Sequence, residues 1–272
     1  MAIVAISRGT FSGGEALARR VAGRLGYACL SRETNLVEAA QTYGVPAADL
    51  AVAMEKRPAF WQRMVGERTA HLAFVRAALC ARAQADNLVY HGLAGHLLLP
   101  GIAHVLRVRV IAAPDYRVKA ARHQQELGPV EALAFIEKVD RERRQWVRFL
   151  FGVEWDDPHL YDVVVNLSRM GAGSACETVA RLAEQDEFKA TAESRRAMEN
   201  LTLASLVRAK LASDSRTRDV ELEVVADGGI VTIGGQTQSP AVDKAIETVA
   251  RTVDGVMEVR SKVVFIPVYP GT

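Results

Sequence analysis

What this sequence has little of narrows its class first. Its cysteines are few: Cys29, Cys80 and Cys176 are odd in number, far apart and never in C-x-x-C spacing. That excludes a disulfide scaffold and a zinc ribbon, and leaves buried thiols in a reducing compartment as the expectation. Aromatic residues make up only 6% of the chain. None of them interleaves with a basic stripe, so nucleic acid is not an expected partner. No uninterrupted apolar run approaches the roughly 20 residues that cross a bilayer. The apolar start, residues 1–6, has no basic segment before it and no long apolar region, so it does not read as a signal peptide. A cytoplasmic protein is expected. Charge is nearly balanced, with 34 Lys and Arg against 32 Asp and Glu for a formal charge of +2. Bulk electrostatics therefore name no acidic partner. There is no G-x-S-x-G, and the cysteines sit in apolar helical settings, so neither serine nor cysteine nucleophilic catalysis is supported.

What is present is ordinary globular material: 49% hydrophobic and 24% charged residues over 272 positions. That length predicts about two domains. Over the first 185 residues, short apolar strands alternate with helical patterns. Strands are expected at 3–6, 88–90 (ending at Gly92), 105–111 and 161–166. Helices are expected at 14–25, 34–43, 47–54, 59–85, 114–126, 129–150 and 174–184. In the longest expected segment, Trp61, Val65, Leu72, Val75 and Leu79 recur near helical spacing. Pro129 follows Gly128 at a helix start. Strands that are apolar throughout and alternate with helices predict a parallel sheet covered on both faces. Ligands of such sheets bind outside the carboxyl ends of the strands, where residues 8–14 and 91–95 would fall.

Residues 186–197 read as a charged, helical connector. After it the composition changes. Residues 201–211 are amphipathic and residues 220–226 alternate apolar with polar. Asp227-Gly228-Gly229 signals a hairpin, 230–233 a second strand, 240–253 a helix and 256–266 a third strand. The expected domains are 1–185, a connector at 186–197, and a small αββαβ unit at 198–268.

Three constellations bear chemistry. The first is Ser7-Arg8-Gly9-Thr10-Phe11-Ser12-Gly13-Gly14-Glu15-Ala16, between a strand and a helix. A glycine turn entering a helix is an anion site, because unpaired N–H groups and the helix dipole converge there. Gly9 and Gly14 meet the G-x-x-x-x-G spacing of a phosphate loop, but Glu15 holds the lysine place and Ala16 the hydroxyl place. Arg8 offers a planar fork to phosphate oxygens in partial replacement. Glu15 would repel a triphosphate unless it holds a magnesium ion. The second is Asp140-Arg141-Glu142-Arg143-Arg144 with Arg148, in which Arg141, Arg144 and Arg148 share one helix face. That face is either solvated or a lid closing over phosphoryl groups. The third is Tyr90-His91-Gly92-Leu93-Ala94-Gly95-His96, where a histidine would meet phosphate or base. His91, His96 and His104 lack a carboxylate or thiol cluster at ligand spacing, so no metal site is expected. Asp162 either helps to bind a cation or caps its strand.

Residues 1–185 resemble the cytidylate kinase-like family. The matching stretches are Ile6-Ser7-Arg8 through Ser12-Gly13-Gly14, Leu25-Gly26-Tyr27, residues 89–95, residues 108–114 with Arg117, the helix ending Asp140-Arg141-Glu142-Arg143-Arg144, and Trp155-Asp156-Asp157-Pro158 leading to Tyr161-Asp162-Val163-Val164-Val165-Asn166. The resemblance implies a P-loop kinase-like α/β fold, ATP or a related nucleotide with Mg2+, and a lid bearing arginines. Taken with the three constellations, the expected sites are Arg8, Gly9, Ser12, Gly13, Gly14 and Glu15 for cofactor binding, Arg141, Arg144 and Arg148 for catalysis, and Arg32, His91 and Gly92 for the substrate, with Glu15, Arg32 and His91-Gly92 standing where the family commonly has other residues. Residues 198–268 resemble a BON domain through Asp227-Gly228-Gly229-Ile230-Val231-Thr232-Ile233-Gly234-Gly235 and Val253-Asp254-Gly255-Val256 with Val259. That resemblance implies contact with a phospholipid surface or a protein, hence a cytoplasmic protein able to sit at the membrane periphery; a homo-oligomer is compatible with it. The expected function is a nucleotide-binding sensor or regulator with a degenerate loop. An active nucleoside monophosphate kinase and a non-catalytic adaptor are the alternatives.

Overall fold

The run Ile3-Val4-Ala5-Ile6 lacks polar alternation because both of its faces are covered, and all four side chains are buried. It forms the centre of a parallel sheet. The computed structural model describes residues 1–55 and 64–266. In chain order the elements are β1 (Ile3–Arg8), α1 (Gly14–Leu25), β2 (Ala28–Ser31), α2 (Arg32–Tyr43), α3 (Ala47–Glu55), α4 (Met64–Ala83), β3 (Leu88–Gly92), α5 (Gly95–Leu98), β4 (Val105–Ile111), α6 (Pro114–Gln125), α7 (Pro129–Phe151), β5 (Val163–Asn166), α8 (Ala172–Ala183), α9 (Ala192–Ser213), β6 (Leu222–Asp227), β7 (Ile230–Thr237), α10 (Pro240–Ala250) and β8 (Glu258–Phe265).

Two compact units are formed. Among the described residues, one holds 1–35, 54–55 and 85–194, and the other holds 36–53, 64–84 and 195–266. Residues 36–53 and 64–84, which the sequence groups with the first domain, share the compact unit of residues 195–266.

In the first unit the strand order is β2-β3-β1-β4-β5, every pairing parallel. Chain order reverses around β1, which makes the loop after it the switch point where such sheets bind ligands. One face is sealed by Leu17, Ala18, Val21 and Ala22 of α1 and by Ala175, Cys176, Val179 and Ala183 of α8, packed on Val4, Ile6, Val89, Val108 and Val110. Each fully buried Val, Leu or Ile side chain there contributes about 1.5–3 kcal/mol. A small satellite core of Ala121, Ala132 and Ile136 joins α6 to α7.

In the second unit β6 and β7 are antiparallel and β7 and β8 parallel. Asp227 pairs with Ile230 across a two-residue loop in which Gly228 (φ 54) and Gly229 (φ 86) are both left-handed. That conformation is why two glycines stand there. Val231, Ile233 and Val259 of the sheet bury against Val207 and Leu211 of α9 and Ile246 and Val249 of α10. The opposite side of α9 meets α4: the Thr202 hydroxyl donates to the Cys80 carbonyl at 3.5 Å, and Ser205 Oγ lies 3.6 Å from Cys80 Sγ. Tyr43 of α2 stacks on Phe74 of α4 at 4.5 Å.

Several expectations change in detail. β2 was not expected from sequence, since its four residues Ala-Cys-Leu-Ser give too short a pattern. It is an edge strand, and Cys29 on it is exposed while Cys80 and Cys176 are buried. Gly234 and Gly235 continue β7 instead of leading to the next helix. The expected helix at 59–85 is seen from Met64 to Ala83, and Trp61 lies outside the described residues.

Candidate functional site

The turn after β1 places backbone donors at the carboxyl edge of the sheet. The Gly9 N–H donates to the Val110 carbonyl at 3.3 Å and the Ser12 N–H to the Gly9 carbonyl at 3.2 Å. Gly13, at φ 82, is the N-cap of α1 and supplies no side chain to cap it. The first-turn amides of α1 thus keep the donors that a helix N-terminus leaves without intrahelical partners. A Cβ on Gly14 would lie 2.6 Å from the Arg8 Cβ, so only glycine lets the strand end and the helix start approach this closely.

The turn is braced from α7. Asp140, buried, accepts from the Thr10 N–H at 3.3 Å and the Thr10 hydroxyl at 2.8 Å through one oxygen, and from Arg117 Nη2 through the other. Arg117 Nε also donates to the Thr10 carbonyl at 2.7 Å, and Arg143 Nη1 to Thr10 Oγ1 at 3.0 Å. Charge-assisted bonds of this kind are the strong ones.

In front of the turn lies a cleft of 710 Å³. Arg8, Ser12, Gly13, Gly14 and Glu15 line it, joined by Arg19 and Arg143 and by Tyr116 and Gln124 of α6. Glu15 is neutralised within the site: Arg19, one helical turn on, donates to it at 2.7 Å. Gly9 shapes the turn without lining the cleft. Of the arginines on α7, Arg143 reaches the cleft, through the row Asp140–Arg143 that faces Thr10. Arg141, Arg144 and Arg148 are exposed on the helix; Arg144 donates to Asp156 and Arg148 lies 3.2 Å from Glu154. The signal for Asp140 and Arg143 was their three-residue spacing, outcompeted in sequence by the longer arginine row.

Beside the turn, Arg32, His91 and Gly92 come together. A Cβ on Gly92 would lie 2.6 Å from the Arg32 Cβ. His91 is register partner to Ile6 and Ser31, and its Nδ1 is buried without a hydrogen-bond partner. Burial first, and the Arg8 guanidinium second, push its pKa down to about 4, so the ring is neutral at pH 7. Glu33 lies 3.8 Å from Arg8. Burial works to raise its carboxyl, but its own backbone amide, Arg32 and Arg8 outweigh that and hold it below the usual range.

On the other face of the sheet is a polar layer that sequence reasoning did not assemble. The Trp155 indole N–H donates to Ser7 Oγ at 2.9 Å, and the Tyr161 hydroxyl to the Trp155 carbonyl at 2.7 Å. The Arg109 guanidinium sits 3.7 Å over the Trp155 ring. His96 packs on Tyr161 at 4.8 Å. Asp162 bridges strands by accepting from the Arg107 backbone N–H at 2.7 Å. Among the described residues, no group of three His, Cys, Asp or Glu is placed to hold a metal ion. No described helix is long and apolar enough to cross a membrane.

Comparison with known proteins follows this geometry. The model of the cytidylate kinase-like family matches residues 3–169, and that of the BON domain matches residues 200–267. A cytidylate kinase from Ignicoccus hospitalis is 27% identical over 184 residues, which are 67% of this chain and 99% of that protein. Among solved structures, an uncharacterized protein from Eubacterium ventriosum aligns with a TM-score of 0.51 at 16% identity, over 68% of this chain and 99% of its own, a likeness of fold. A shikimate kinase from Bacteroides thetaiotaomicron aligns with a TM-score of 0.45 at 12% identity, over 68% of this chain and 99% of its own.

Proposed function

Because the chain belongs to the cytidylate kinase-like family and carries a BON domain, we propose that it binds a nucleotide in the cleft before α1 and acts as a sensor or regulator, with weak or no phosphotransfer. The reading takes residues 1–185 as the nucleotide-binding domain in the family's sense, although residues 36–53 and 64–84 pack with the C-terminal unit, with 186–197 as a connector and 198–268 as the interaction module, facing a phospholipid surface or a protein from the cytoplasmic side. The observation that carries it is the cleft's donor set: Arg8, Arg19, Arg143 and the uncapped start of α1 converge, and lysine is absent from the lining among the described residues. Backbone amides and arginine forks suffice to hold phosphates. Fast transfer needs cationic stabilisation matched to charge that develops at the β- and γ-oxygens in the transition state.

The size of the cleft suits a nucleotide, since small-molecule sites run to about 300–1,000 Å³. For Mg2+, the residues present fit a cation carried in by the triphosphate. Ser12 Oγ is buried with no hydrogen-bond partner, and Glu15 adds a carboxylate to the same lining. Both are hard oxygen donors of the kind this ion takes, with phosphates and water completing its shell. When bound, the ion supplies neutralisation of phosphate charge. Arg8 and Arg143 would orient the phosphate chain, with Tyr116 and Gln124 lining the same cleft.

The test is calorimetric titration of the full chain with ATP, CMP and CTP, with and without magnesium, paired with a turnover assay. A triphosphate is expected to bind in a magnesium-dependent manner, and Arg143→Ala to weaken that binding about tenfold or more. Turnover is expected at or near background. Robust turnover would establish the active-kinase alternative, and no heat with any nucleotide would leave the adaptor.

A further inference from the structure

The side chain of Asp156 occupies a fork made by two arginines from different elements. Its Oδ1 accepts from Arg109 Nη2 of β4 at 2.8 Å, and its Oδ2 from Arg144 Nε of α7 at 2.5 Å. The fork is asymmetric in exposure. Arg109 is buried at 7%, whereas Arg144 and Asp156 are each 49% exposed. Arg109 is held rigidly, with its guanidinium on the Trp155 ring and that indole bonded to Ser7. Its second terminal nitrogen, Nη1, is buried without a hydrogen-bond partner.

We infer that the Arg109–Arg144 fork is a phosphate-binding subsite, and that Asp156 is its resident competitor, displaced when a phosphate monoester enters. This goes beyond the nucleotide reading of the cleft, because neither arginine lines that cleft. Three features carry it. A guanidinium buried on a sheet strand carries a large desolvation cost, and an apolar residue there would serve stability as well or better. A fixed arginine fork matches phosphate and carboxylate geometry. Asp156 uses both of its oxygens on Arg109 Nη2 and Arg144 Nε and leaves Arg109 Nη1 without an acceptor, whereas a phosphate carries more oxygens than a carboxylate. Asp156 lies in a turn outside the strands and helices and its side chain is half exposed, so the carboxylate can rotate out to solvent while buried Trp155 beside it keeps its place. Arg109 is the register partner of Ser7, one residue before Arg8, which puts the subsite on the same carboxyl edge of the sheet as the glycine turn. The class of ligand is a small phosphate monoester, the form in which the second substrate of a phosphotransferase-like site would present its anchoring group.

The experiment titrates full-length protein with inorganic phosphate by calorimetry. Asp156→Ala should bind phosphate at least tenfold more tightly than the unaltered chain. The gain should vanish in Asp156→Ala with Arg144→Ala and survive in Asp156→Ala with Arg143→Ala, because Arg143 serves the other cleft. An Asp156→Ala protein that melts cooperatively and binds phosphate no more tightly overturns the inference. So does a gain that depends on Arg143 instead of Arg144, since the phosphate is then at the glycine turn. If the alanine variant does not fold, Asp156→Asn is measured by the same criteria. In the unaltered chain, the Arg144 Nε resonance, assigned by its loss in Arg144→Ala, should shift saturably as phosphate is added; a resonance that does not move counts against the subsite. Magnesium-dependent binding of ATP in the cleft, together with no gain in phosphate affinity in Asp156→Ala, would sink this inference alone and leave the nucleotide reading standing.

Discussion

His91 and His96 carry the largest electrostatic consequence at single-residue scale. Burial, helped by Arg8 at His91 and by Arg107 and Arg109 at His96, depresses both pKa values to about 4. In the unfolded chain each takes up its proton near pH 6.5. The unfolded state therefore binds more protons between these values, and stability is complete above about pH 6.5 and is lost as pH falls towards 4. His96→Phe should flatten this acid limb. Neither ring nitrogen of His96 has a hydrogen-bond partner and its ring already packs on Tyr161, so an apolar ring loses no bond. Thermal melting from pH 7 to 4 is the check; equal slopes for variant and parent would mean that His96 titrates normally. Glu15 shows the opposite case, a residue whose charge sequence reading weighs against phosphate binding and whose effect its neighbour Arg19 offsets.

Among the elements, α7 decides more than its sequence suggests. Its N-terminus is set by Pro129 and by Glu131, whose carboxylate accepts the Gly128 N–H at 3.0 Å, and its C-terminus by Gly152. Between them the row Asp140–Arg143 faces the glycine turn, while Arg144 and Arg148 engage the acidic segment after the helix. The helix thus braces the turn through Thr10. Asp140→Asn keeps the shape but removes the charge that Arg117 and the Thr10 donors share. The expected cost is about 2 kcal/mol of stability, with nucleotide affinity falling although Asp140 does not line the cleft. Denaturant titration alongside calorimetry measures both. Unchanged affinity in a destabilised variant would separate the brace from binding.

For the whole molecule, the telling feature is the sharing of α9. One side of this helix completes the core of the small three-stranded sheet, and the other meets Cys80 on α4 through Thr202 and Ser205. The C-terminal module is therefore built into one compact unit with residues 36–53 and 64–84. Thiol labelling under native conditions reads this directly. In the full chain, exposed Cys29 should react ahead of buried Cys80 and Cys176. Deleting residues 192–272 should make Cys80 a second fast thiol, because the deletion strips away its cover. Continued protection of Cys80 would show that α4 is buried without α9.

How much of this was legible in the sequence follows from the range of each cause. The strands of the large sheet other than β2, the hairpin at Gly228-Gly229 and the turn from Arg8 to Glu15 are set by local patterns: uninterrupted apolar runs, left-handed glycine positions and a strand–glycine–helix order. Arg32, His91 and Gly92 gather beside that turn because parallel pairing brings the ends of β1, β2 and β3 to one edge. What only the tertiary structure decided depends on residues far apart in the chain. Asp140 meets Thr10 across 130 positions and Trp155 meets Ser7 across 148. Cys80 meets Ser205 across 125. Helical spacing specifies which residues share a face but not what that face meets, so the choice between Arg143 and its neighbours, the fork around Asp156 and the membership of residues 36–53 and 64–84 were fixed by packing alone.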